Sequence, residues 1–182
     1  MENKSKTKLL ALILFIASEI MFFAGLLSAY WVIRSQIPNW PPPGQPRYPL
    51  EVTAFNSIIL FSSLATLWMA EKKLSLKRNY LSWLIVTVAA GSCFLIIQGV
   101  EWFRLIQQGM GLIGNVYGGL FYVVVGVHAL HVAAGLSVLI YLLLKSLKMK
   151  TAMESDSLQL GKVYWAFVVL LWPFIYVGLY VI

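Results

Sequence analysis

The chain has 182 residues, 60% of them hydrophobic and only 12% charged, with a formal net charge of +7 and one cysteine. A soluble domain is usually nearer a quarter charged, and seven Trp, nine Tyr and ten Phe exclude a disordered or collagen-like chain. The single Cys93 excludes internal disulfides and an all-cysteine metal site, which leaves an all-α, polytopic membrane protein.

Five long apolar segments run through the sequence, at 9–33, 52–70, 80–103, 116–144 and 163–182. A helix rising 1.5 Å per residue needs about 20 apolar residues to cross the hydrocarbon, and every segment is long enough, allowing for tilt. They are continuously apolar rather than alternating, which argues against membrane β-strands. The intervening pieces are too short to fold alone, so residues 1–182 are expected to form one membrane domain, a bundle of five helices.

The first segment follows Lys4, Lys6 and Lys8. Its apolar run is longer than the roughly 7–15 residues of a signal peptide and has no convincing cleavage site, so it is expected to be retained. With the N-terminus in the cytoplasm, eleven basic residues fall inside (Lys4, Lys6, Lys8, Lys72, Lys73, Lys77, Arg78, Lys145, Lys148, Lys150 and Lys162) and only Arg34, Arg47 and Arg104 outside. That bias predicts a cytoplasmic N-terminus and an external C-terminus. It also assigns the basic charge to lipid headgroups rather than to nucleic acid.

Glu19 lies ten residues into the first segment, about 15 Å deep, where a carboxylate costs roughly 2.5–3.5 kcal/mol. It must face protein, water or a lipid headgroup; packing, proton transfer, ion binding and lipid contact all fit. The proline-rich connection from Pro38 to Pro49 can be neither helix nor central strand. It reads as a stiff strap holding Trp40 and Tyr48 at headgroup level, in preference to a docking surface. Near the end of the third segment Gln98 and Glu101 share a face, and Arg104 follows as an interfacial ion partner for Glu101.

His128 and His131, one helical turn apart on the fourth segment, are the only histidines. Their depth matches that of Glu19, so one of them is expected to hydrogen-bond it, directly or through a water. Two ligands at i and i+3 cannot take opposite axial positions on one haem iron, and a mononuclear metal would need more ligands than this region offers. Hydrogen-bonding histidines are therefore the preferred reading, with no catalytic, cofactor or metal site in the chain. Gly118, Gly119, Gly126 and Gly135 on the same segment predict close helix approach. Pro173 predicts a kink or local unwinding of the last helix, and Trp31, Trp40, Trp102 and Trp172 are expected to anchor the interface.

Several stretches carry a family resemblance in order and spacing. Ser18-Glu19-Ile20-Met21-Phe22-Phe23-Ala24-Gly25 resembles the glutamate-bearing helix of subunit III of the haem-copper oxidases, the cytochrome c oxidase subunit 3 family. Trp40-Pro41-Pro42, then Pro49-Leu50-Glu51-Val52 and Asn56, resembles that family's next loop, and Gln98-Gly99-Val100-Glu101-Trp102 its Gln-x-x-Glu-aromatic helix end. Tyr117-Gly118 and His128-Ala129-Leu130-His131-Val132 with Gly135 resemble its His-x-x-His-Val signature, and Tyr164-Trp165 with Trp172 its last helix. Ala166 and Val169 depart from the pattern, standing where the family usually has His and Asp.

The resemblance begins at the third helix of the seven-helix form and so implies the five-helix bacterial variety, in the plasma membrane. It further implies a non-catalytic subunit without haem or metal of its own, packed beside the catalytic subunit I and with subunit II, whose haem and copper reduce oxygen to water while protons are pumped. The subunit would support sustained turnover and proton uptake and hold phospholipid in a cleft between its helices, with Glu19 as the family's buried carboxylate. Two alternatives stand beside this reading. One is the related protein associated with nitric oxide reductase; the other is a small proton-coupled transporter using Glu19 and the histidines as a relay, although such transporters often show internal symmetry and none is apparent.

Overall fold

A computed structural model describes residues 2–149 and 155–181; Lys150 and Ile182 of the sequence reading lie outside them. The described residues form α1 (Glu2–Ser35), α2 (Leu50–Ser75), α3 (Leu81–Gln107), α4 (Val116–Met149) and α5 (Ser155–Tyr176), the last continuing as a π-helical turn, Val177–Val181. All five are long and apolar enough to cross a membrane. Helices α1, α2, α4 and α5 run past their apolar segments at the lysine-bearing end, and α5 starts well before Val163. Lysine is a good helix former and its long side chain reaches the headgroups while its backbone stays helical, so helix and hydrocarbon need not end together.

The four helices α2 to α5 close into a ring in which α2 packs on α3, α3 on α4, α4 on α5 and α5 on α2. Helix α1 leans on the outside of this unit, touching α4 and α5. Only 6% of its spanning window is buried within the chain, against 50% for α5, so α1 is the least enclosed of the five helices and α5 the most.

The interior seam is polar where it joins α2 to its neighbours. Thr53, Asn56, Ser57, Leu60, Ser63, Leu67, Ala70 and Leu74 are buried at helical spacing, because in lipid a polar side chain finds its partners inward. Asn56 Nδ2 donates to the Phe94 carbonyl at 3.0 Å, and the Thr66 and Thr87 hydroxyls bond at 2.8 Å. Trp165 Nε1 donates to Ser63 Oγ at 3.0 Å and Trp172 Nε1 to Ser57 Oγ at 2.7 Å. Trp172 is fully buried, so it is a core residue and not the interface anchor expected from its position near a helix end. Its indole N–H is satisfied by α2 rather than by headgroup water.

Around Trp165, glycine permits close approach at two points. A Cβ on Gly91 would lie 2.9 Å from the Trp165 ring and one on Gly135 would lie 3.0 Å from it. Helices α3 and α4 thus form a slot around that indole. Pro173 lies within α5 and removes one backbone donor; the π-helical turn begins one turn beyond it.

At the lysine-bearing end Lys162 Nζ donates to Glu71 Oε2 at 2.5 Å, tying α5 to α2 with both side chains about a quarter exposed. Partly exposed pairs contribute little. Lys162→Met is therefore expected to lower stability by no more than about 1 kcal/mol, read from the thermal midpoint of the purified chain. A loss several times larger would mean that this pair, and not the tryptophan slot, locks α5 in place.

Candidate functional site

The site is built on α1 and α4, the pair of helices that bring the deep carboxylate to the histidines. Glu19 Oε2 and His131 Nε2 are 2.9 Å apart. The other ring nitrogen, Nδ1, lies 2.7 Å from the carbonyl of Val127, one turn earlier on α4. A carbonyl can only accept, so Nδ1 carries a proton and donates it. The bond between Nε2 and Oε2 then holds one further proton, which belongs either to a neutral Glu19 acid or to a His131 imidazolium facing a Glu19 carboxylate. In both forms the pair is neutral overall. It can therefore sit in hydrocarbon without an uncompensated charge, and its shared proton can shift between two residues without adding charge to the membrane.

The side chains of His131 and Glu19 are 17% and 18% exposed, so the pair is partly open rather than sealed. One turn towards the lysine-bearing end is an apolar groove of about 490 Å³, lined by Phe15 of α1, Ala134 and Val138 of α4, Tyr164 of α5 and, at its mouth, Lys8. Phe15 and Tyr164 stack across it with centroids 6.4 Å apart. Phe23, one turn beyond Glu19, sets its ring edge-on to His131 at 5.2 Å. The arrangement suits a proton-holding pair beside a hydrocarbon-lined groove.

His128 takes a different place. It is 1% exposed and neither ring nitrogen has a hydrogen-bond partner. Its ring stacks on Trp172 at 4.9 Å and meets Phe94 and Phe23 edge-on at 6.5 and 6.4 Å. It packs as an aromatic wedge joining four helices, accepting the cost of unsatisfied nitrogens, about 1–3 kcal/mol.

Of the residues near the end of α3, Gln98 and Glu101 are buried, at 3% and 6% exposure. Gln98 Nε2 donates to Tyr180 Oη at 3.3 Å. Arg104 Nη1 donates to Glu101 Oε1 at 2.5 Å, with the Arg104 side chain 61% exposed. This cluster is on the strap end of the bundle and is not part of the Glu19 site. Among the described residues no group of three or more His, Cys, Asp or Glu is arranged to hold a metal ion. The sequence assigns no place at this site to Val127, Phe23 or Tyr164, although Phe23 and Tyr164 lie in stretches that carry the family resemblance. Val127 and Phe23 were findable, since each is four residues from a singled-out polar residue on its own helix; Tyr164 comes from a third helix, and its motif carries no hint that it faces Glu19.

The strap folds back over the same end of the bundle. Trp40 meets Tyr30 at 5.7 Å and Tyr117 at 5.0 Å edge-on, and Tyr48 stacks on Tyr117 at 4.7 Å. Tyr117 Oη donates to the Pro46 carbonyl at 3.0 Å. The strap is thereby fastened to the start of α4 by ring contacts.

Comparison with known proteins gives a consistent family. The family model described as cytochrome c oxidase subunit III matches residues 4–182. A mouse protein named cytochrome c oxidase subunit 3 is 35% identical over 179 residues, covering 93% of this chain and 67% of the mouse protein. A protein of the same name from Synechocystis is 32% identical over 179 residues, covering 96% of this chain and 76% of that one. A Nocardia farcinica protein named probable cytochrome c oxidase subunit 3 is 32% identical over 175 residues, covering 92% and 84%.

Proposed function

We infer the role of this chain from the family to which it belongs, the cytochrome c oxidase subunit III family: it is subunit III of a haem-copper terminal oxidase in a respiratory chain. The family match over residues 4–182 carries this conclusion. The neighbours it serves are the core subunits, the catalytic subunit I and subunit II, which hold the haem and copper that reduce oxygen to water. This chain has no active site of its own. It braces the catalytic subunit and supports proton uptake, in the plasma membrane of a bacterium, with its N-terminus in the cytoplasm as the lysine distribution argues.

The Glu19–His131 pair and the groove beside it support a finer reading. A neutral, proton-sharing pair holds a proton within the membrane at little electrostatic cost. The groove is apolar along its length and has Lys8 at its mouth, which matches a phospholipid laid with an acyl chain inward and its phosphate at the lysine. The same lipid would keep the groove dry and the pair's hydrogen bond short.

Gentle purification from native membrane tests the assignment. The expected result is co-purification with a larger histidine-rich membrane subunit and a haem absorption spectrum that remains with that subunit when the two are separated. Isolation of the chain as a haem-free homo-oligomer that moves ions in liposomes would instead establish the transporter.

A further inference from the structure

The hairpin between α2 and α3 carries four cations of the lysine-bearing face, Lys72, Lys73, Lys77 and Arg78, within seven residues. Its one acid, Glu71, is taken by Lys162 of α5. Lys72 Nζ lies 5.4 Å from the Trp68 ring centre, the place of a lysine at headgroup level. Ser75, the last residue of α2, is seven residues beyond Trp68, about 10 Å along the helix. The headgroup layer is only roughly 5–8 Å thick on each side, so the turn that follows stands clear of it. Leu76 there is 56% exposed, and Lys77 and Arg78 are exposed as well. Neither cation has an ion pair or a ring partner among the described residues.

The turn is rigid, and it costs stability. Arg78 N donates to the Lys73 carbonyl at 2.9 Å and Lys77 N to the Leu74 carbonyl at 3.0 Å, the paired bonds of a Schellman helix end. On the other side Leu81 N donates to Asn79 Oδ1 at 3.1 Å, which starts α3. A Schellman end needs one left-handed residue, and Lys77 supplies it at φ 53°, where glycine would avoid the steric cost. Folding alone would favour glycine there. A pre-set tip with one apolar and two unpaired cationic side chains is organised for contact. Lipid phosphates can meet Lys72, but the tip lies past them. A ligand that meets Leu76 and both cations together must bring carboxylates around an apolar group, the chemistry of an acidic protein segment.

We propose that the tip of the α2–α3 hairpin, Leu76-Lys77-Arg78, is a docking point on the lysine-bearing face for an acidic segment of a partner protein. It is separate from the Glu19 site and does not depend on the oxidase assignment.

The test uses the full chain in phosphatidylcholine nanodiscs, with a fluorescent peptide of glutamates around one leucine as probe and its glutamine analogue as control. Anisotropy reads binding, and the thermal midpoint reads folding. Wild type should bind the glutamate peptide roughly tenfold more tightly than the analogue, as two exposed ion pairs imply, and lose that preference as salt screens it. Arg78→Gln should weaken binding about threefold at an unchanged midpoint. Lys77→Gly should weaken binding equally while raising the midpoint by about 2–4 °C, a combination that a merely structural lysine would not give. Equal binding of the two peptides by wild type, or equal binding of the glutamate peptide by wild type and Arg78→Gln, would overturn the proposal. So would discs containing phosphatidylglycerol that stabilise wild type but not Arg78→Gln while no peptide binds, which would assign the tip to the membrane.

Discussion

Trp165→Ala is expected to be the most damaging single change in the bundle, lowering stability by about 3–5 kcal/mol. The indole is fully buried, donates to Ser63 at 3.0 Å, and fills a slot whose walls are Gly91 and Gly135. Lipid cannot enter that slot to replace it, so the variant loses the dispersion contacts that drive helix association in a bilayer and leaves a cavity between α3, α4 and α5. The reverse change at the wall, Gly91→Ala, puts a methyl 2.9 Å from the same ring and is expected to cost about 1–3 kcal/mol by overpacking. Thermal or denaturant unfolding in micelles reads both. A Trp165→Ala variant within about 1 kcal/mol of wild type would mean that the slot closes on its own, and the packing account would fail.

The second large effect is at Glu19. Removing either partner strands the other in a largely apolar setting. Glu19→Ala and His131→Leu should each destabilise the chain, while the double variant costs less than their sum. A coupling of about 1 kcal/mol is expected, at the low end for a contacting pair because both side chains remain open to the groove. In the assembled oxidase, Glu19→Ala should begin oxygen reduction near the wild-type rate and lose activity faster as turnover continues. Under the proposed function the metals that carry the chemistry belong to the neighbouring subunit, so oxygen uptake followed over many turnovers is the measurement. Complete loss at the first turnover, with the complex intact, would contradict a supporting role.

The five helices were legible in the sequence because continuous apolar runs of sufficient length have few other uses. Their ends were less so. The start of α5 at Ser155 lies in a polar stretch where hydropathy has already fallen but helix propensity has not. The depth of Glu19 pointed to a histidine partner, yet not to which one. His128 and His131 are near neighbours on α4, and only the position of α1 against α4 sends the first ring into the aromatic core and the second to the carboxylate. The α2 seam was missed because that segment was read for its apolarity. Thr53, Asn56, Ser57 and Ser63 already had the spacing of a buried face, a signal that a search for polar periodicity would have found. Trp172 was misjudged for a related reason, since a tryptophan near a helix end is a headgroup anchor only if no hydroxyl waits inside the bundle.

The loose attachment of α1 has a consequence for biosynthesis. Helix α1 makes its contacts with α4 and α5, both of which are synthesised after it. During translation it must wait among lipids, with Glu19 lacking its imidazole, until the second half of the polypeptide arrives. Helix α1 can therefore dock only after α4 has been made, and a chain cut short after α3 would keep a lone acid in the bilayer, a feature by which membrane quality control could recognise it.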